Sequence, residues 1–236
     1  MSQHHLRVTK VSKNYGRQRA LVEVSLEFAP GRASAIVGPN GAGKTTLLGI
    51  LSTLVRPTAG EILLDDAPFG REARRTIGYV GHEPGVYPDL SARQNLRLFA
   101  SLYALAGAED RITTILERVD LADVRGDLPA RAYSNGMLQR LALARALLHD
   151  PEILLFDEPS SALDPAGVSW LVGELVRERE AGRLVVLVTH DLEAAAQVAS
   201  HIVVMRRGRV TLERSQPSGF AAGEVRALYQ EALRDR

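Results

Sequence analysis

ASAIVGPNGAGKTTLLGIL, residues 33–51, is the stretch that decides the fold. Small and branched apolar residues run without a break into a glycine-rich turn, and the turn runs into a helical pattern. Residues 38–45 fit the spacing Gly-x-x-x-x-Gly-Lys-Ser/Thr. In a strand, loop, helix context, the glycines let backbone N–H groups converge on phosphate oxygens, and the helix start adds its partial positive charge. Gly38, Pro39, Asn40, Gly41, Ala42 and Gly43 therefore read as a phosphate cradle. Lys44 is placed to reach β and γ phosphates, Thr45 to offer its hydroxyl to Mg²⁺, and Thr46 to touch the α phosphate.

Working outward, ILLFDEP (153–159) is an apolar strand ending in Asp157 and Glu158. Open α/β sheets bind ligands at the carboxyl ends of their strands. Asp157 is then positioned to hold Mg²⁺ through water, and Glu158 to serve as general base or water-orienting group. VVLVTHD (185–191) brings His190 to the same edge, either for the γ phosphate and lytic water or as a bridge at a strand end. Lys44, Glu158 and His190 form the expected catalytic set. A phosphate loop by itself still admits kinases, GTPases and many ATPases.

The wider chain narrows these options. It has 236 residues, enough for one sizeable domain with room for a smaller lobe. Twenty-nine basic against 28 acidic side chains leave a net charge of +1 with no long run of one sign, so nucleic acid is not an expected partner. The absence of cysteine removes disulfides and thiolate metal sites. No apolar run approaches the roughly 18 residues of a membrane span, so any membrane attachment is expected to run through another protein. His4 and His5 read as a solvated N-terminus.

Two strand types alternate with helices. VEVSLEF (22–28) alternates Val22, Val24, Leu26 and Phe28 with polar residues, the mark of a half-open antiparallel strand, and HLRVTKVSKNY (5–15) and GEILLDD (60–66) read alike. ASAIVG, EILLFDE and RLVVLVTH read as buried parallel strands. From about Leu90 to Leu148 helical patterns replace strand signals, broken by LAGAED and VRGDLPARAYSNG, and a helical lobe is expected over residues 84–148. Val225, Leu228, Tyr229, Ala232 and Leu233 predict a docking C-terminal helix within residues 217–236. No linker divides the chain, so residues 1–236 read as one α/β domain of the P-loop type: a mixed-sheet core, an antiparallel β lobe and an α-helical subdomain.

YSNGMLQR (133–140) and SALD (161–164) complete a pattern. The sequence resembles the nucleotide-binding subunit of an ABC (ATP-binding cassette) transporter from Tyr15 to about Val210. Ser134, Asn135, Gly136 and Met137 match the family's signature segment, usually Leu-Ser-Gly-Gly-Gln, with Asn135 and Met137 departing from it. Ser134 and Asn135 can cap a helix while the Ser134 hydroxyl and the Gly136 N–H meet an anion. Ser161, Ala162, Leu163 and Asp164 match the D-loop. The resemblance implies that Tyr15 in KNYG stacks on adenine and that ATP with Mg²⁺ is the nucleotide. It implies that two cassettes, as a homodimer, sandwich two ATP molecules. It also implies that integral membrane subunits carry the cargo, with this chain at the cytoplasmic face of the cell membrane.

His82, in YVGHEPG (79–85), stands where the family usually has a glutamine contacting Mg²⁺ and the lytic water. Imidazole can ligate a metal or bind water but offers one donor and one acceptor and titrates near neutral pH; alternatively His82 only faces the partner interface. The expectation is that His82→Gln retains ATPase activity and flattens its pH profile between roughly pH 6 and 8, which steady-state hydrolysis across that range checks. The Gly81–His82 pair and the 133–164 region are also similar to the ATP-binding subunit of the haem exporter of cytochrome c maturation. That similarity makes haem export the expected cargo function, with a generic drug, lipid or polysaccharide exporter, or a soluble non-transport ABC ATPase, as alternatives.

Overall fold

In the computed structural model, which describes residues 4–122 and 128–234, the phosphate loop joins β3 (Ala33–Val37) to α1 (Lys44–Leu51). Ahead of it run β1 (Leu6–Tyr15) and β2 (Gln18–Phe28). After it come β4 (Ala59–Leu64), β5 (Ala67–Pro68) and β6 (Ile77–Val80). The helices α2 (Ala92–Leu102), α3 (Ala108–Arg118) and α4 (Asn135–Leu147) then intervene before β7 (Ile153–Asp157). The chain continues through α5 (Pro165–Glu180), β8 (Leu184–Val188), α6 (Leu192–Val198), β9 (His201–Arg206), β10 (Arg209–Ser215) and α7 (Ala222–Arg234). Part of the expected 124–136 break and the last two residues of the expected C-terminal helix lie outside the described residues.

The central sheet has the order β10-β9-β3-β8-β7-β6 and is parallel except for β10, which pairs antiparallel with β9. Its inner strands β3, β7 and β8 are buried at every position, because both faces are covered. Alternate residues of one strand serve different layers. Ile153 and Leu155 pack with α1 and the antiparallel sheet, while Leu154 and Phe156 pack with the helices of the 92–147 region. Helices α6 and α7 close the β3/β9 side through Ala195, Ala199 and Val225. The β9–β10 hairpin is an element that strand patterning did not single out. HIVVMR is a continuous apolar run, but its partner RVTLERS lies at the sheet edge and is mostly exposed.

The second sheet, β2-β1-β4-β5, is antiparallel. It corrects one expectation. Val22 is not on the buried stripe; Leu21 is, together with Val24, Leu26 and Phe28. The pairing Val11↔Val24 is followed by Lys13↔Leu21, so β2 carries one extra residue at Glu23, whose φ is 50°. A matching extra residue in β1, at Lys10 with φ 48°, lies between Val8↔Leu26 and Val11↔Val24. Each bulge reverses the side-chain alternation beyond it. His4 is a further correction, since it is not solvated. Its side chain is 16% exposed, with Nδ1 2.5 Å from Asp65 Oδ2 and Nε2 3.3 Å from Glu152 Oε2, which ties the chain start to both sheets' neighbourhoods.

Just after α4, the His149 ring stacks on Tyr103 at 4.0 Å and its Nε2 donates to Ile77 O at 2.9 Å. Its Nδ1 is buried with no hydrogen-bond partner. Burial pushes its pKa down to about 4, with the bond to Ile77 opposing and the Arg111 and Arg145 charges adding to the fall. A histidine that refuses a proton when folded but accepts one when unfolded loses stability as pH falls from about 6.5 towards 4, and contributes no pH dependence at pH 7.5. Urea unfolding at pH 7.5 and pH 5 is expected to show about 1–2 kcal/mol less acid loss in His149→Gln than in the parent. Equal losses in the two proteins would disprove the assignment.

Candidate active site

Neighbouring strands β3, β8, β7 and β6 end at one edge of the sheet, which gathers the phosphate loop, Thr189 with His190, Asp157 with Glu158, and Gly81 with His82. Glycine is required here by close packing as well as by backbone angle. Gly43 has φ 99°, and a Cβ on it would stand 2.5 Å from Ala20 O and 2.8 Å from Leu21 Cδ2, because β2 runs directly over the loop. A Cβ on Gly38 would lie 2.3 Å from Met205 O. No side chain caps the start of α1 and no acidic residue lies in its first turn, which leaves this helix start suited to receive an anion. Lys44 is 7% exposed, and its Nζ donates to Gly38 O at 2.8 Å and Pro39 O at 3.3 Å. The ammonium therefore lies within the curl of the loop.

Thr45 Oγ1 donates to Asp157 Oδ1 at 3.2 Å. Burial raises the Asp157 pKa, the Thr45 hydroxyl opposes that rise, Glu158 reinforces it, and the His82 and Lys44 charges lower it. Asp157 is 2% exposed and surrounded by this polarity, a position suited to a cation. Among the described residues there is no group of three or more His, Cys, Asp or Glu side chains able to hold a metal alone. One carboxylate and one hydroxyl, both hard oxygen donors, could hold a Mg²⁺, which would need further oxygen ligands from elsewhere. Glu158 has φ 50°, a left-handed conformation held by its N–H donating to Val188 O at 2.8 Å. Its Oε2 accepts from the His190 N–H at 3.2 Å and lies 2.7 Å from His190 Nδ1. Glu158 is thus anchored by β8 on its backbone and by His190 on its side chain, while His190 itself is 68% exposed.

The remaining expected residues are spread around this edge. Tyr15 ends β1, the residue 49% exposed, with Lys13 Nζ 5.0 Å from its ring centroid. Lys13 is a neighbour that no motif marks, although Lys-x-Tyr on a strand places both side chains on one face. His82 is exposed in the loop after β6. Arg145 holds that loop. It donates from Nη2 to Tyr79 O at 2.7 Å, and its guanidinium stands 3.4 Å from where a Gly85 Cβ would be. Nothing local in the sequence marks it, because the contact spans 66 residues.

Ser134 is the N-cap of α4, and its Oγ accepts the Met137 N–H at 3.3 Å. The cap uses the oxygen of Ser134 as an acceptor and leaves its hydroxyl proton able to be donated. Met137 packs partly against the helical core, which accounts for an apolar side chain at that position. Asn135 is exposed at the helix start and Gly136 is half-buried. Asp164 caps α5 by accepting the Gly167 N–H at 2.7 Å, and Leu163 packs inward, while Ser161, Ala162 and Asp164 are exposed.

A model of the family described as "ABC transporter" matches residues 21–161. The chain belongs to the ABC transporter family. It is 41% identical over 218 residues to a daunorubicin resistance ATP-binding protein of Streptomyces coeruleorubidus, covering 90% of this chain and 69% of the relative. It is 36% identical over 213 residues to a Nod factor export ATP-binding protein of Cupriavidus metallidurans, covering 88% and 70%. Among solved structures, a dimeric bacterial ABC transporter cassette superposes with a TM-score of 0.81 at 31% identity, covering 89% of this chain and 98% of that one. The same cassette in a post-hydrolysis state bound to ADP and Pi superposes at 0.80 and 30%, with the same coverage. As an ABC cassette, the chain binds and hydrolyses ATP. Among the described residues no helix is long and apolar enough to cross a membrane.

Proposed function

We propose that this chain is the ATPase subunit of an ABC exporter, docked at the cytoplasmic face of the membrane on separate integral subunits and working as a pair of identical cassettes with ATP between them. The observation that carries the chemistry is the run of contacts Thr45, Asp157, Glu158, His190 beside Lys44. Residues 38–46 cradle the phosphates, and Tyr15 stacks on adenine. Glu158 accepts a proton from water as the water oxygen attacks the γ phosphorus and the bond to the ADP oxygen breaks. His190 keeps the Glu158 carboxylate aimed at that water. Thr45 and Asp157, with His82 nearby, would hold Mg²⁺, which neutralises charge on the β and γ oxygens. Residues 134–137 and 161–164 of one cassette face the ATP of the other, so ATP closes the pair and hydrolysis reopens it.

The export reading draws support from the daunorubicin resistance and Nod factor export relatives. The haem cargo expected from Gly81 and His82 rests on that pair and the 133–164 region alone, and a drug, lipid or saccharide exporter accounts for the same residues. Nucleic acid remains outside the reading, given a net charge of +1. Crosslinked affinity purification from native membranes, with ATP trapped by Glu158→Gln, tests it. Recovery of a permease of the drug or lipid export type is the expected result. Recovery of cytochrome c maturation subunits would restore haem, and recovery of no integral protein would overturn the transport role.

A further inference from the structure

Helix α5 starts at the Asp164 cap and presents Trp170, Glu174 and Glu178 at i, i+4 and i+8, on one face. Arginines of the inserted helices meet all three. The Arg140 guanidinium lies over the Trp170 ring, 4.3 Å from its centroid, while its Nη1 donates to Val119 O at 3.0 Å at the end of α3. Arg118, the last residue of α3, donates from Nε to Glu174 Oε2 at 2.9 Å and from Nη2 to Glu178 Oε1. Arg177 and Arg183 complete the pairing at 2.8 and 2.6 Å. Both carboxylates are buried, at 5% and 2% exposure. Buried ion pairs of this kind gain little net stability, because desolvation offsets attraction. What they enforce is geometry, since any other arrangement leaves a buried charge unpaired.

The geometry enforced is a spacing. Arg140 lies six residues into its helix from the Ser134 cap, and Trp170 lies six residues into its helix from the Asp164 cap. Their contact therefore sets the distance between residues 134–136 and residues 161–164. We propose that Arg140 and Trp170, backed by Arg118 with Glu174 and Glu178, are positioning residues that hold those two segments at the separation needed to meet the partner cassette's nucleotide together. This rests on the paired-cassette reading above.

The test titrates ATP into the full-length Glu158→Gln chain and reads dimer formation by light scattering, with ATP binding to the monomer measured separately by equilibrium dialysis. Trp170→Leu and Arg140→Met are each expected to raise the ATP concentration for half-dimerisation about tenfold while leaving monomer affinity unchanged, and Trp170→Phe to recover most of the loss by keeping a ring under the guanidinium. In chains with Glu158 intact, the same two substitutions lower kcat rather than raise KM. Unchanged dimerisation midpoints in both Trp170→Leu and Arg140→Met would overturn the inference alone. Failure of the parent Glu158→Gln chain to dimerise would overturn the paired-cassette reading and the inference with it.

Discussion

Glu158→Gln is expected to lower the ATP hydrolysis rate by about 100-fold or more while preserving ATP binding, with the ATP-bound chain accumulating as a dimer. The geometry accounts for each part of that outcome. Glutamine has the size of the native side chain, so the backbone can keep its φ of 50° and its bond to Val188 O, leaving the phosphate loop undisturbed. An amide oxygen can still accept from the His190 N–H, now at 3.2 Å from Glu158 Oε2, but it cannot take a proton from attacking water. Binding and hydrolysis are thereby separated. Single-turnover hydrolysis and light scattering measure the two effects, and a turnover within about threefold of the parent would remove Glu158 from the base role.

Lys44→Met is expected to lower kcat/KM for ATP by about 100-fold or more, with weaker nucleotide binding as a component. The native Nζ is buried and donates to Gly38 O and Pro39 O, so the cation sits in the centre of the loop where phosphate charge is to be neutralised. Methionine fills comparable volume but has no donor, and it leaves two loop carbonyls without that partner and the phosphates without that charge. Because the loop is also packed closely against Met205 and against Ala20 and Leu21 of β2, the fold is expected to survive the loss of the Lys44 bonds. Circular dichroism and thermal unfolding establish that survival alongside the kinetics. Near-parental kcat/KM would show that the helix N-terminus alone suffices for the phosphates.

How far each feature could be read from the chain follows from the range of the interaction that makes it. The phosphate loop, the strands at 33–37, 153–157 and 184–188, and the residues ending them are local. Continuous apolar runs that finish in Gly, Asp or His specify buried parallel strands and the groups at their ends without reference to distant residues. The C-terminal helix was legible for the same reason, from a period of 3.6 residues. The Val22 assignment failed because periodicity assumes regular pairing, and the extra residue at Glu23 shifts the register between β1 and β2. The edge strand 209–215 lacks a two-sided apolar environment and so carries a weak signal.

Residue chemistry and spacing alone established a phosphate-binding P-loop domain: glycines where the backbone must approach phosphate, a lysine and threonine at a helix start, and a carboxylate pair at a strand end; the resemblance carried by residues 133–140 and 161–164 narrowed it to an ATPase. Folding alone supplied the contacts between segments far apart in the chain, namely Thr45 with Asp157, Glu158 with His190, Arg145 with Tyr79, and Arg140 with Trp170. Motif spacing records what one segment can do, whereas the aim of Glu158 and the separation of the α4 and α5 starts depend on packing between helices and strands that no local pattern encodes.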